Sequence, residues 1–194
     1  MKGIKKLLVT TMLTVLTNVQ AAPLLDVELN NQSIYAGSYV TTGDAARAAG
    51  NLQAFGTITI GASSQVGGTL ETGTFVSIGA AAGVAGNIKS GTYVSAGDSA
   101  ELGSDVESGT YTSIGKSGKV VGNVVSGTYS SAGVESELSG NVQAGGVVSI
   151  QTDAKITGNI VSGASINYLG TGNGSVGGSS STDTNMVIVP HEVD

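Results

Sequence analysis

Residues Ser108 to Val125 read SGTYTSIGKSGKVVGNVV, and the same 18-residue frame fits the chain from Ala36 onward. Blocks begin at Ala36, Ala54, Thr72, Ser90, Ser108, Ser126 and Ala144, with a decaying eighth at Ser162. Positions 1 to 18 below count from the first residue of each block. A fixed period of this length is the mark of a solenoid, in which one turn cannot bury its own apolar face and stacks on its neighbours instead. The columns say which kind. Position 7 holds Thr42, Ile60, Ile78, Ala96, Ile114, Ala132 and Ile150, and position 5 is mostly Val or Ile. Position 13 runs Ala48, Val66, Val84, Leu102, Val120, Leu138 and Ile156, and position 17 runs Leu52, Leu70, Ile88, Val106, Val124, Val142 and Ile160. Apolar residues on odd positions between polar even ones have the period of a strand, not of a helix.

The expectation is an all-β, single-domain β-solenoid: a three-sided parallel β-helix of about seven 18-residue turns. Eighteen residues divide into three strand-and-corner units. Turns stacked at about 4.8 Å give a rod roughly 35 Å long. Glycines at position 2 (Gly73, Gly91, Gly109, Gly127) and position 8 (Gly61, Gly79, Gly97, Gly115) are read as corners that need unusual backbone angles. The 31 glycines, the absence of Trp and the placement of both prolines outside the repeats, at Pro23 and Pro190, fit this reading.

The first 21 residues have the pattern of a signal peptide. Lys2, Lys5 and Lys6 precede an apolar stretch from Leu7 to Thr17, too short to span a bilayer, and Val19-Gln20-Ala21 supplies small residues for cleavage before Ala22. That predicts a secreted chain, periplasmic or at the cell surface, without membrane insertion. With no cysteine it has neither a lipid-attachment site nor disulfides, so the strand ladder must supply the stability. Cleavage leaves five basic residues against fourteen acids, a net charge of −9 that disfavours nucleic acid and anionic membranes as partners.

Two flanks bracket the repeats. Residues 22–35 contain Leu25, Val27 and Leu29 in alternation with polar residues, the pattern of a capping or docking strand. The repeats are assigned 36–169, a Gly/Ser/Thr-rich flexible linker 170–184, and a short apolar segment, with Val187 and Ile188, lies in 185–194. A run of that kind can pair with a sheet edge on its own or another molecule.

Catalytic motifs fail one by one. His191 stands alone near the end, and without Cys there is neither a thiol nucleophile nor a Cys-based metal site. Gly172-Asn173-Gly174-Ser175-Val176-Gly177 matches G-x-G-x-x-G by letter but leads into serines rather than a helix. Around Gly118-Lys119 a P-loop would need Gly at Ser113 and a hydroxyl residue at Val120. The acids do not follow the calcium-binding β-roll pattern. No enzyme, cofactor or metal is predicted.

Two outward columns share one face if positions 5 and 7 point inward. Position 4 carries Tyr39, Phe75, Tyr93, Tyr111 and Tyr129; position 6 carries Ser95, Ser113 and Ser131 among other hydroxyls. The simplest reading is an aromatic stack that stabilises the face. The alternative is a platform for surface polysaccharide, a neighbouring fibre or ice, the last disfavoured because only Thr57-Ile58-Thr59 forms a Thr-x-Thr rank across these two columns. A third column, with Asn51, Asn87, Asn123, Asn141 and Asn159, is an amide ladder at a corner.

Thr112 to Val125 (TSIGKSGKVVGNVV) and Asp153 to Val161 (DAKITGNIV) resemble the bactofilin family of polymer-forming cytoskeletal proteins. The shared pattern is a strand ending in Ile-Gly, a short corner, then apolar-x-Gly-Asn-apolar. The resemblance covers roughly Ala36 to Ser165 and implies a right-handed three-sided solenoid that polymerises end to end without nucleotide. Open edges on the first and last turns lead to the same expectation, because unlike ends that fit each other build filaments. Assembly ends are expected at Leu25, Val27 and Leu29 on one side and at Ile156, Ile160, Val187 and Ile188 on the other. The main expectation is thus a homopolymer of a secreted structural protein, in contact with matrix components. A monomeric adhesion module using the Tyr/Ser face is the alternative.

Overall fold

A computed structural model describes residues 33–170, 172 and 174–188. The chain is a three-sided β-solenoid. Each full turn contributes a four-residue strand at positions 4–7, a two-residue strand at 12–13 and a three-residue strand spanning 17, 18 and the next position 1. In the central turn these are Tyr111–Ile114, Lys119–Val120 and Val124–Ser126. Like strands stack in parallel in an 18-residue register, so that Tyr93, Tyr111 and Tyr129 are neighbours, as are Leu102, Val120 and Leu138.

Three sheets result. One has nine strands, from Ile34–Ala36 to Ser180–Thr182; two have eight, from Tyr39–Thr41 to Ser165–Tyr168 and from Arg47–Ala48 to Ser175–Val176. The apolar columns predicted from the sequence form the core, a continuous stack of Leu, Ile, Val and Ala from Ile34 to Ile160. The large interior side chains are almost wholly hidden from water, which is the main favourable contribution to folding.

Position 5 changes character in mid-rod, where Thr112 and Ser130 replace Val or Ile. Both are buried. Ser130 Oγ bonds Ser126 Oγ, Ser126 Oγ bonds Thr112 Oγ1 and Ser108 Oγ bonds Thr112 Oγ1, each at 2.8 Å. The four hydroxyls satisfy one another, which removes most of the penalty of placing them in a dry core.

Three expectations are corrected. The repeat glycines are not needed for left-handed backbone. The left-handed residues stand at position 10, and none is glycine: Ala45, Ser63, Ala81, Ser99, Ser117, Glu135 and Asp153 all have φ between 53° and 57°. They sit in a tight turn closed from position 11 to position 8, as from Ala100 N–H to Gly97 C=O at 3.2 Å. The glycines are required by neighbouring turns. A Cβ on Gly127 would lie 1.9 Å from the Gly109 carbonyl oxygen, and one on Gly115 2.6 Å from the Gly97 carbonyl carbon.

Second, the solenoid has about eight turns, and Ser175–Val176 and Ser180–Thr182, from the stretch read as a linker, belong to it. Ser175–Val176 pairs with Lys155–Ile156, and Ser180–Thr182 pairs with Ile160–Ser162, both at an offset of 20. Two residues are inserted at the corner 169–174, where Gly170 adopts φ 118°. Glycine and serine in this stretch mark a polar last turn, not a linker. Third, the ladder begins at Ile34, two residues before the first repeat block. Residues 1–21, Leu25, Val27, Leu29 and His191 lie outside the described residues.

Candidate functional surfaces

The strands at positions 4–7 alternate as expected, with positions 5 and 7 inward and 4 and 6 outward. Tyr93 and Tyr111 are the most open of the aromatic column, while Tyr39, Phe75 and Tyr129 are half-buried. The column breaks into two face-to-face pairs. Phe75 and Tyr93 have ring centroids 4.6 Å apart at 4°, and Tyr111 and Tyr129 are 5.2 Å apart at 5°. Each ring spends one face on its partner, which leaves at most one face per ring for a ligand. A sugar-stacking platform needs open faces.

The hydroxyl column beside it is uneven. Ser95 and Ser113 are half-exposed, whereas Ser131 is 6% exposed and is withdrawn from any ligand. An adjoining threonine column at position 3 turns its hydroxyls into the wall: Thr110 Oγ1 donates to the Thr92 carbonyl at 2.7 Å and Thr92 Oγ1 to that of Thr74 at 2.5 Å.

In the Asn ladder, Asn123 Oδ1 accepts the Asn141 N–H at 2.9 Å, and Asn141 Oδ1 accepts the Asn159 N–H at 2.8 Å. Asp105 takes the same role toward Asn123, at 2.7 Å. Corner amides that point along the axis and miss the strand ladder thereby gain acceptors. On the two-residue strands the outward column alternates in charge, Glu101, Lys119, Glu137 and Lys155, with a Lys155–Glu137 ion pair at 3.5 Å.

One shallow groove of about 530 Å³ runs over Gly83, bordered by Gln65, Glu101, Lys119 and Val121. It brings together one acid and one base, without the second carboxylate, histidine or activated nucleophile that hydrolytic chemistry uses. Among the described residues no group of three or more His, Asp or Glu is placed to hold a metal ion. No described helix is long and apolar enough to cross a membrane.

The two poles of the rod differ from expectation. Ile156 and Ile160, assigned to an assembly end, are interior rungs at 1% exposure or less, covered by the eighth turn. The exposed apolar residues of that pole are Tyr168 (55%), Leu169 (50%) and Val187 (83%), with Ile188 half-buried. Tyr168 stands at position 7, a column otherwise 6% exposed or less in every turn. Sequence reasoning missed Tyr168 and Leu169; the signal was the aromatic in an Ile/Ala column. At the opposite pole Ile34 and Val40 are buried and Tyr35 points outward, largely exposed.

No protein-family model, curated protein or solved structure matches the chain. The class is set by the geometry just described: a three-sided parallel β-solenoid with 18-residue turns.

Proposed function

We propose that this chain is a secreted, non-enzymatic structural protein whose rods join end to end into filaments, in the periplasm or a cell-surface matrix. One observation carries the reading. The first and last strands, Ile34–Ala36 and Ser180–Thr182, are the two outer members of the same nine-stranded parallel sheet. Each has a strand partner on one side only among the described residues, and the two run in the same direction with the same inward phase. An edge of that kind is a template for another chain. The resemblance to bactofilins belongs to the same proposal. The adhesion alternative is weaker because the aromatic faces are paired and the threonine hydroxyls are bonded into the wall.

The test is negative-stain electron microscopy of the protein expressed with residues 1–21 and purified without nucleotide. Filaments a few nanometres wide, from a product whose mass begins at Ala22, are expected. Single short rods at every concentration would defeat the proposal.

A further inference from the structure

We propose that Asn185–Ile188 is a strand held ready for a second copy of the chain. It would become the ninth member of the sheet that now ends at Ser165–Tyr168. This rests on the end-to-end reading above and specifies its junction.

Strand arithmetic makes the slot. Among the described residues the rod begins and ends in the same sheet, so that sheet has nine strands and the other two have eight. When the Ile34–Ala36 strand of the next copy stacks on Ser180–Thr182, both eight-stranded sheets skip one level: the two-residue strands between Ser175–Val176 and the next copy's Arg47–Ala48, and the four-residue strands as well. A gap one strand wide then lies between Ser165–Tyr168 and the next copy's Tyr39–Thr41. The chain leaving Thr182 arrives at that level.

Register, burial and hydrogen bonding agree. Continuing the offset of 20 set by Ile160↔Ser180 puts Met186 above Ile166 and Ile188 above Tyr168. These are positions 5 and 7, which elsewhere hold pairs such as Val76 with Ile78 and Val148 with Ile150. Met186 and Ile188 are half-buried while Val187 between them is exposed, the alternation of a strand with one face inward. Among the described residues the ladder bonds are nevertheless missing. The last one is Asp183 N–H to Ser162 C=O at 2.8 Å; beyond it, Met186 N–H and Asn185 N–H turn back to the Asp183 carbonyl and carboxylate, each at 3.0 Å. The segment thus has the side-chain pattern of a strand without its main-chain partners. Below it, Tyr168 is left half-exposed. A copy seated on the pole supplies the missing second neighbour. Because Ile34 and Val40 of that copy are already buried, the junction adds ladder hydrogen bonds more than apolar area.

The chain has no cysteine, so an introduced pair is diagnostic. Val187 and Thr41 share outward position 6 at opposite ends of one rod, roughly eight strand spacings apart, too far for an intramolecular disulfide. Across the proposed junction they become adjacent. Mild oxidation of Thr41→Cys/Val187→Cys filaments is expected to give a covalent series of dimers, trimers and higher species. Thr59→Cys/Val187→Cys, one strand farther in, is expected to give dimers at most. In the otherwise native chain, Met186→Asp/Ile188→Asp is expected to raise the concentration needed for filaments at least tenfold with an unchanged circular dichroism spectrum. Filaments that form without the covalent series, or that form as readily or more readily with the two aspartates, would overturn the junction and leave end-to-end assembly standing. No filaments from the unaltered chain would overturn both.

Discussion

Replacing Gly127 by alanine tests whether the glycine columns exist for turn-to-turn contact. The added Cβ would sit 1.9 Å from the Gly109 carbonyl oxygen and 2.8 Å from its carbonyl carbon. Backbone is the obstacle, so no side chain can swing aside. Relief requires the two turns to separate locally by more than about 1 Å from their ~4.8 Å spacing. That stretches the bond from Gly127 N–H to the Ser108 carbonyl, now 3.0 Å. Overpacking costs about 1–3 kcal/mol where side chains can adjust, so about 3 kcal/mol is expected here. For a chain of this size that lowers Tm by roughly 6–12 °C. Gly37 is the control: it occupies the same column, but a Cβ there meets nothing within 4 Å. Gly37→Ala should be neutral or stabilise by up to about 1 kcal/mol through the unfolded state. Thermal and urea unfolding followed by far-ultraviolet circular dichroism reads both. A solenoid couples only neighbouring turns, so the Gly127 variant should also unfold over a broader range as its two halves part. Stabilities for Gly127→Ala and Gly37→Ala within about 0.5 kcal/mol of each other would refute the contact argument.

The converse holds at position 10: Ala81→Gly should raise stability by up to about 1 kcal/mol, since relief of left-handed strain exceeds the entropy cost of glycine, and a lower urea midpoint would contradict it. Thr112→Val should cost about 1–2 kcal/mol by taking away the Ser108 hydroxyl's partner and the acceptor of the Ser126 hydroxyl, which keeps only Ser130. The quadruple Ser108→Ala/Thr112→Val/Ser126→Ala/Ser130→Val should return to within about 1 kcal/mol of the native chain, whereas losses that simply add would show no network. Asn141→Ala should cost about 1 kcal/mol and speed hydrogen exchange at the Asn159 amide, while Asn141→Asp keeps the acceptor and leaves that amide protected.

Most of the fold is written in the columns. Positions 5, 7, 13 and 17 alternate with polar residues strongly enough to give strands, faces and an 18-residue register without coordinates. The corners were less legible. Left-handed backbone usually announces itself as glycine or asparagine, but here the residue at position 10 is Ala, Ser, Glu or Asp, held there by the turn and by ladder bonds on either side. Glycine was visible but its cause was not, because a clash with the turn below is a three-dimensional fact. The two-residue insertion at 169–174 defeated a fixed-period count, so residues that continue the ladder looked like linker. Ile156 and Ile160 were placed at an end for the same reason. The aromatic column is legible in the sequence, yet its division into Phe75–Tyr93 and Tyr111–Tyr129 pairs is not.

A rod of near-identical turns faces a problem that its core cannot solve. If one turn loops out during folding, every Val, Ile and Leu column still closes, since the register shifts by a whole repeat. Only irregular positions oppose such a slip. Removing the turn that carries Lys119 would stack Glu101 on Glu137, a like-charge contact in place of an alternating series. Removing the turn that carries Ser126 and Ser130 would leave the Thr112 hydroxyl without one of its partners in a dry core. Phe55, the one large residue among the position 2 glycines, has its own place above Gly37 and would meet close-packed backbone elsewhere. The departures from the repeat therefore fix the number of turns. A whole-turn slip takes one strand from every sheet, so it shortens the rod but leaves the nine-to-eight mismatch at the pole unchanged.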